Sequence, residues 1–167
     1  MQNSPSSRPQ FFKAIALACL IAGTLDIADA LIFYALRGVS PVRLLQNIAS
    51  GILGRAAFAQ GTRSAVLGLL LHFFIATTVA SIYIFASRRL PLSRHPFLWG
   101  SLYGIVVYIV MNYVALPFSK IGLRPTPPLV PLINGVAALI FCIGIPTAFI
   151  ARRYIPYKNS PELHPVL

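Results

Sequence analysis

Four long apolar runs dominate the chain, at positions 14–36, 64–87, 97–118 and 129–151. A bilayer core about 30 Å thick is crossed by about 20 apolar residues in a helix, so each run is long enough to span it. Charged residues, glycines and prolines separate the runs, and proline ends helices because it lacks a backbone donor and clashes with the preceding turn. The pattern predicts an all-α polytopic membrane protein with four transmembrane helices, forming a single transmembrane domain over residues 1–167.

The stretch between the first two runs has the pattern of a short amphipathic helix. Ser40-Pro41 is a helix start, because serine caps a helix and proline fits its first position. Apolar residues then recur at helical spacing among polar ones: Val42, Leu45, Ile48, Ile52 and Ala56. We therefore predict an interfacial helix at about 41–57. It is either a connector in the membrane interface or a lid over a cavity, and Gly51 and Gly54 permit a re-entrant turn as a third arrangement.

The composition agrees with a lipid-embedded chain and argues against two other classes. Hydrophobic residues make up 57% of the 167 residues and charged residues only 10%, whereas a soluble domain carries about a quarter charged residues. The net charge of +11 comes from 14 Lys and Arg that stand in short clusters between the apolar runs, not in a stripe among aromatic residues. Such clusters suit lipid headgroups, so the lipid bilayer is the expected partner and nucleic acid is not.

The distribution of cations predicts the orientation. The side with both termini and the second loop carries eight of them: Arg8, Lys13, Arg88, Arg89, Arg94, Arg152, Arg153 and Lys158. The other side carries six: Arg37, Arg43, Arg55, Arg63, Lys120 and Arg124. The Arg88-Arg89 and Arg152-Arg153 pairs directly abut spans, where positive charge most strongly favours the cytoplasmic side. We predict a multi-pass protein of the inner (plasma) membrane with both termini in the cytoplasm.

Polar residues inside the apolar runs are the candidates for function. Asp26 and Asp29 share one helix face of the first run, and a carboxylate at the bilayer centre costs about 3 kcal/mol. His72, Asn112 and Asn134 lie one in each of the other runs. Counted at 1.5 Å per residue from the centre of each run, Asp29 and these three lie about 4–9 Å from the midplane on the same side. The sequence predicts a shared polar pocket formed by all five residues.

Several roles are open to these residues. Asp29 and His72 can relay a proton, or the group can bind a cation or a polar headgroup. Alternatively the polar groups clamp the helices together, each hydrogen bond contributing about 0.6 kcal/mol. A further alternative pairs Asp26 or Asp29 with Arg55 or Arg63 from the stretch between the first two spans.

The sequence contains no catalytic motif that we recognise, and Cys19 and Cys142 lie apart inside apolar runs without metal-ligand spacing. We therefore expect no enzyme activity, no metal and no cofactor. Two functions remain. One is proton-linked transport or binding of a small solute or lipid through the polar pocket, and the other is a non-catalytic accessory or structural subunit. A homo-oligomer is expected for the first, and a larger membrane complex for the second.

The run PVRLLQNIASGILG from Pro41 to Gly54, with Ala57-Phe58 and Leu71-His72-Phe73 after it, resembles small bacterial inner-membrane proteins with four spans. The resemblance covers about the first half of the chain. It implies a four-span protein of the bacterial envelope, and it supplies no activity, ligand or site residue.

Overall fold

The computed structural model describes residues 8–122, 125 and 127–155, and all regular structure in them is helical. Five helices follow one another along the chain: α1 Arg8–Ala35, α2 Pro41–Leu53, α3 Thr62–Ser87, α4 Pro96–Phe118 and α5 Leu129–Tyr154. A short 3-10 segment, Gly54–Ala59, connects α2 to α3. Arg124 and Lys158, which were counted for the orientation, lie outside the described residues.

Helices α1, α3, α4 and α5 are long and apolar enough to cross a membrane, which confirms the four-span prediction. Their outer faces carry large apolar side chains, such as Leu20, Phe74 and Phe141, which are 61, 69 and 66% exposed. Water would not stabilise so much exposed apolar surface, whereas lipid chains solvate it. The chain is therefore a multi-pass membrane protein built as a four-helix bundle.

The predicted short helix after the first span is present as α2. Its start follows the expected chemistry, because the Ser40 hydroxyl accepts a hydrogen bond from the Arg43 amide at 3.2 Å and Pro41 begins the helix. It ends at Gly54, whose φ of 64° suits a residue without a side chain. With 13 residues α2 is about 20 Å long, too short to span the bilayer.

Helix α2 packs closely on α3. The contact centres on Gly68 of α3, where an added Cβ atom would collide with the Leu45 carbonyl. The Lys120 amide, in the loop after α4, donates to the Gly51 carbonyl at 2.9 Å. This bond ties the first and third loops together at one end of the bundle, as the alternating direction of successive spans requires.

The opposite end of the bundle, where α1 starts and α5 finishes, is tightly packed. Ala14 and Ala18 of α1 and Ala148 and Ala151 of α5 are fully buried, and they form one apolar cluster with residues of α3 such as Ile84. Small side chains let helix backbones approach closely in a membrane, where dispersion contacts replace the hydrophobic effect. This end of the bundle is closed.

Glycines join α4 to α5. Gly100 and Gly104 are four residues apart on α4, and Gly144 of α5 lies against both. A Cβ atom added to Gly104 would lie 2.6 Å from the Ile140 Cα atom, closer than side chains tolerate. The spacing is the small-xxx-small pattern that brings membrane helices into backbone contact.

Candidate functional site

Asp29 of α1 is held by Asn134 of α5. The Asn134 side-chain amide donates to the Asp29 Oδ2 atom at 2.9 Å, and both residues are half-buried. The two residues are 105 positions apart in the chain, and the depth count from the sequence had placed them at a similar level. The bond joins two spans at the half of the membrane nearer the first and third loops.

Asp26 of α1 faces His72 of α3 instead. The His72 Nδ1 atom lies 4.0 Å from the Asp26 Oδ2 atom, an ion-pair distance beyond a direct hydrogen bond. The sequence reasoning had matched His72 with Asp29. The structure differs because the two aspartates, three residues apart, point about 60° from one another around the helix axis, one towards α3 and the other towards α5.

The second nitrogen of His72 fixes the state of the ring. His72 Nε2 lies 2.8 Å from the Gly23 carbonyl oxygen. A carbonyl oxygen only accepts, so Nε2 carries a hydrogen and donates it. The neutral ring then has its lone pair at Nδ1, facing the Asp26 carboxyl group. Attraction at that contact requires a further proton, either on Nδ1 or on the Asp26 carboxyl group.

Gly23 provides the space for this contact between α1 and α3. A Cβ atom at position 23 would lie 3.0 Å from the Phe73 ring and 3.2 Å from the Ala76 Cβ atom. One turn away, the Cys19 Sγ atom lies 2.8 Å from the Thr77 hydroxyl oxygen. Cys19 is thus part of the contact between α1 and α3.

A cavity of about 430 Å³ lies between α1, α4 and α5. Four of the five predicted residues line it, namely Asp26, Asp29, Asn112 and Asn134. His72 does not line the cavity, but it contacts the lining residue Asp26. The Asn112 amide donates to the Tyr108 carbonyl of its own helix at 2.9 Å, which leaves its side-chain oxygen as an acceptor.

Aromatic residues and prolines complete the lining, and the sequence reasoning did not include them. Tyr34, Tyr108 and Tyr113 contribute rings, while Pro125 and Pro127 of the third loop lie where the cavity meets the end of the bundle. Their positions carried a signal, because Tyr34 and Tyr113 lie in the same half of the membrane as Asp29 and Asn112. Tyrosines in membrane helices are common at interfaces, so their presence alone did not mark a site.

Two π-helical segments shape the cavity walls. Met111–Ala115 of α4 contains Asn112 and directly precedes Leu116-Pro117, and Leu139–Gly144 of α5 directly precedes Ile145-Pro146. Proline cannot donate to the carbonyl four residues before it, and a wider turn upstream accommodates this loss. Such segments often occur at functional sites, and both of these carry cavity residues, Asn112 and Tyr113 in the first and Leu139 in the second.

Arg55 and Arg63 lie away from the aspartates. Both are exposed, and neither forms an ion pair with Asp26 or Asp29 in the part of the chain that the structure describes. Helix α2 contributes no residue to the cavity lining, as far as that lining is described. Its contacts with α3 and with the third loop make it a packed connector in this structure, in place of a lid over this cavity.

The described residues contain no group of three or more His, Cys, Asp or Glu side chains placed to hold a metal ion. The site therefore offers two carboxylates, two carboxamides and tyrosines around a space large enough for a small organic molecule. It can accept hydrogen bonds, attract positive charge and exchange a proton through His72 and Asp26. No protein-family model, curated protein or solved structure matches the chain, and the site is described from its own residues.

Proposed function

We propose that this membrane protein binds a small solute or a lipid group in the cavity between α1, α4 and α5, and that binding is linked to a proton. The observation that carries the proposal is the lining itself, which gathers both intramembrane carboxylates and two asparagines around one space of about 430 Å³. Ionisable residues within spans are costly and mark ligand or proton paths in membrane proteins. A cavity lined by them has the properties of a binding site.

The proton belongs to the contact between His72 and Asp26. Since Nε2 donates to Gly23, one more proton between Nδ1 and the Asp26 carboxyl group makes the contact attractive. Without that proton a lone pair faces a negative charge. Because Asp26 also lines the cavity, gaining or losing this proton changes the charge that a ligand meets. This arrangement supports proton-linked binding.

The competing function is an accessory subunit in which the polar residues only clamp the helices. The bond between Asp29 and Asn134 does join α1 to α5, as a clamp would. A clamp needs no space beside it, however, and close packing normally fills such space. The cavity beside this bond favours a ligand.

The bundle is tightly packed at the end with the termini, and the cavity lies in the other half, where Pro125 and Pro127 of the third loop line it. A ligand therefore enters from the end with the first and third loops, and movement across the membrane requires a rearrangement of the alanine-packed end. We propose that the protein lies in the inner membrane with both termini in the cytoplasm. The arginine pairs directly after α3 and in the last turn of α5 support this orientation. In that orientation the cavity opens to the outside.

The proton link is tested by thermal unfolding of the detergent-purified protein between pH 5 and 8. We expect wild type to unfold at a higher temperature at pH 5.5 than at pH 8, because the His72–Asp26 contact is attractive only with its extra proton. A contribution of about 1 kcal/mol corresponds to about 2–4 °C in a chain of this size. The His72→Gln variant is expected to lose this difference, since its amide still donates to Gly23 but does not titrate.

The matched control is His95→Gln, because His95 is exposed and lies at the start of α4, far from the cavity. We expect it to keep the pH dependence of wild type. If His72→Gln also keeps that dependence in full, or if wild type shows none, the proton is not held at this contact and the proposed link to binding is wrong.

A further inference from the structure

The charge of the cavity identifies the ligand that fits it. Asp26 and Asp29 contribute two carboxylates to the lining, and none of the described lining residues is Lys or Arg. Asp26 has the His72 ring beside it as a potential cation. The partner of Asp29 is the neutral Asn134 amide. Among the described residues no Lys or Arg pairs with the Asp29 carboxylate. A cationic ligand beside Asp29 would lower the free-energy cost of a carboxylate at this depth.

The size of the cavity favours an organic cation over a metal ion. A water molecule occupies about 30 Å³ and a bare ion less, so a space of about 430 Å³ is many times larger than either. Hard metal cations also require about six oxygen ligands in a tight shell. The described cavity lining spreads its two carboxylates and two amides over three helices instead.

The rings of the lining suit the same kind of ligand. Tyrosine faces attract ammonium and guanidinium groups, and Tyr34, Tyr108 and Tyr113 all line the cavity. Phe33 also lines it and shows this interaction within the protein, because the Arg37 guanidinium carbon lies 3.5 Å from its ring centroid. The Phe33 ring therefore already has a cation, and it also packs edge-on with the Tyr34 ring at 5.2 Å between centroids. Tyr108 and Tyr113 have no such ring contact among the described residues and are the tyrosines that remain for a ligand.

We propose that the cavity binds a small organic cation, an alkyl- or arylammonium ion, with its charge beside Asp29 and its body against the tyrosines. This inference rests on the proposed function and adds the ligand class to it. The cation supplies the positive charge that the neutral Asn134 amide does not give to the Asp29 carboxylate.

The first test is isothermal titration calorimetry of the detergent-purified full chain with N-benzyltrimethylammonium. This quaternary ammonium ion carries one aromatic ring and is small enough for the cavity. We expect binding of this cation at pH 8 and no binding of benzylsulfonate, an anion of similar shape. The Asp29→Asn variant is expected to bind the cation at least about tenfold more weakly, while Asp29→Glu, which restores the charge, stays within about threefold of wild type.

The inference is overturned if wild type does not bind the cation at concentrations up to 10 mM, which corresponds to a dissociation constant above about the millimolar range. It is also overturned if Asp29→Asn binds the cation as tightly as wild type does, or if wild type binds the sulfonate as tightly as the cation. Either result leaves the proposed function to be judged by the pH dependence of unfolding, which needs no ligand. A protein that shows the expected pH dependence of unfolding but does not bind N-benzyltrimethylammonium has a proton-linked site for another solute. The two failures are therefore distinguishable.

A second readout does not depend on changing Asp29. The Asn112→Cys variant, with Cys19 and Cys142 replaced by alanine, places one thiol in the cavity lining. We expect trimethylammonium-ethyl methanethiosulfonate to modify this thiol at least about tenfold faster than the sulfonate-ethyl reagent, after both rates are divided by those for 2-mercaptoethanol in solution. Equal corrected rates, or a preference for the sulfonate, contradict the cationic assignment.

The ammonium group can belong to a soluble amine or to a phospholipid headgroup. Calorimetry in nanodiscs separates these sources. Binding of N-benzyltrimethylammonium that is equal in phosphatidylglycerol and phosphatidylethanolamine discs identifies a soluble amine as the ligand. Binding that is weaker in the phosphatidylethanolamine discs identifies the lipid headgroup as a competitor for the cavity. Both outcomes support the ammonium assignment, and absence of binding in the phosphatidylglycerol discs contradicts it.

Discussion

Asp26 and Asp29 show how two identical side chains on one helix acquire different roles. Asp26 lies 4.0 Å from an imidazole nitrogen that can carry a proton, whereas Asp29 accepts from a neutral amide at 2.9 Å. The difference comes from rotation about the helix axis, since three residues advance the side chain by 300°. One aspartate is thus suited to a proton and the other to a ligand charge.

At Asp29, an amide and an apolar side chain are expected to have different effects on stability. An asparagine at this position keeps an oxygen for the Asn134 amide, so the free energy of unfolding of Asp29→Asn should be within about 0.5 kcal/mol of that of wild type. Asp29→Leu leaves that amide without its acceptor, so its free energy of unfolding should be lower by about 1 kcal/mol. Thermal unfolding in one detergent at one heating rate measures both. If Asp29→Asn is as destabilised as Asp29→Leu, the charge itself holds the bundle together and the ligand role of Asp29 loses its support.

The sequence predicted the depth of these residues better than their partners. Counting residues along a span gives the height of a side chain, and that count brought Asp29 level with Asn134. It does not give the direction of the side chain around the helix, which depends on how the helices pack. For that reason the sequence suggested a proton relay between His72 and Asp29, whereas the ion-pair contact of His72 in the structure is with Asp26. Arg55 and Arg63 were considered as partners although the structure exposes both.

At the scale of the helices, contacts between small residues determine which faces meet. Gly100, Gly104 and Gly144 bring α4 and α5 into backbone contact, and Gly68 does the same for α3 with α2. Gly23 of α1 instead makes room for the Phe73 and Ala76 side chains of α3. The Gly100–Gly104 spacing is visible in the sequence as a small-xxx-small pattern. The π-helical segments were not predictable in this way, because proline indicates a lost hydrogen bond without showing how the helix accommodates it.

The glycine contact between α4 and α5 is expected to be sensitive to a single methyl group. Gly104→Ala places a Cβ atom 2.6 Å from the Leu139 carbonyl oxygen, at the start of the π-helical segment that borders the cavity. Although alanine favours a helix by up to about 1 kcal/mol over glycine, we expect a net loss of about 1–3 kcal/mol from the collision.

The matched control is Gly51→Ala in α2. There an added Cβ atom meets only the Ser119 Cβ atom at 3.9 Å, an ordinary contact. Thermal unfolding should therefore show Gly51→Ala equal to or above wild type and Gly104→Ala below it. Equal stability of the two variants would mean that α4 and α5 are not in backbone contact at Gly104.

At the scale of the whole molecule, the two ends of the bundle differ. Ala14, Ala18, Ala148 and Ala151 close the end with the termini, and the cavity occupies the other half. The fold class and the four spans followed from the length of the apolar runs alone, since lipid leaves few alternatives to a helix. The cavity did not, because an empty space depends on which side chains fail to fill the gap between packed helices. Water, ligand and proton are therefore all expected to enter at the end with the first and third loops.

The measurement that tests this account most directly is the reactivity of a cysteine in the cavity towards a charged, membrane-impermeant thiol reagent. Asn112→Cys lies in the lining, and Ile109→Cys, one turn earlier on α4, replaces a side chain that is 48% exposed and outside the lining. Both are made in the variant with Cys19 and Cys142 replaced by alanine, and both are labelled in nanodiscs. The same reagent added outside intact cells reaches position 112 only if the termini are cytoplasmic, which tests the orientation separately.

We expect trimethylammonium-ethyl methanethiosulfonate to modify the cysteine at position 112 at least about tenfold faster than the cysteine at position 109. The reason is that a charged reagent reaches water-filled space and is excluded from lipid. Equal rates at the two positions, both slow, would mean that no water reaches Asp26, Asp29 and Asn134. The polar residues would then be a buried clamp, and the proposed binding site would be wrong.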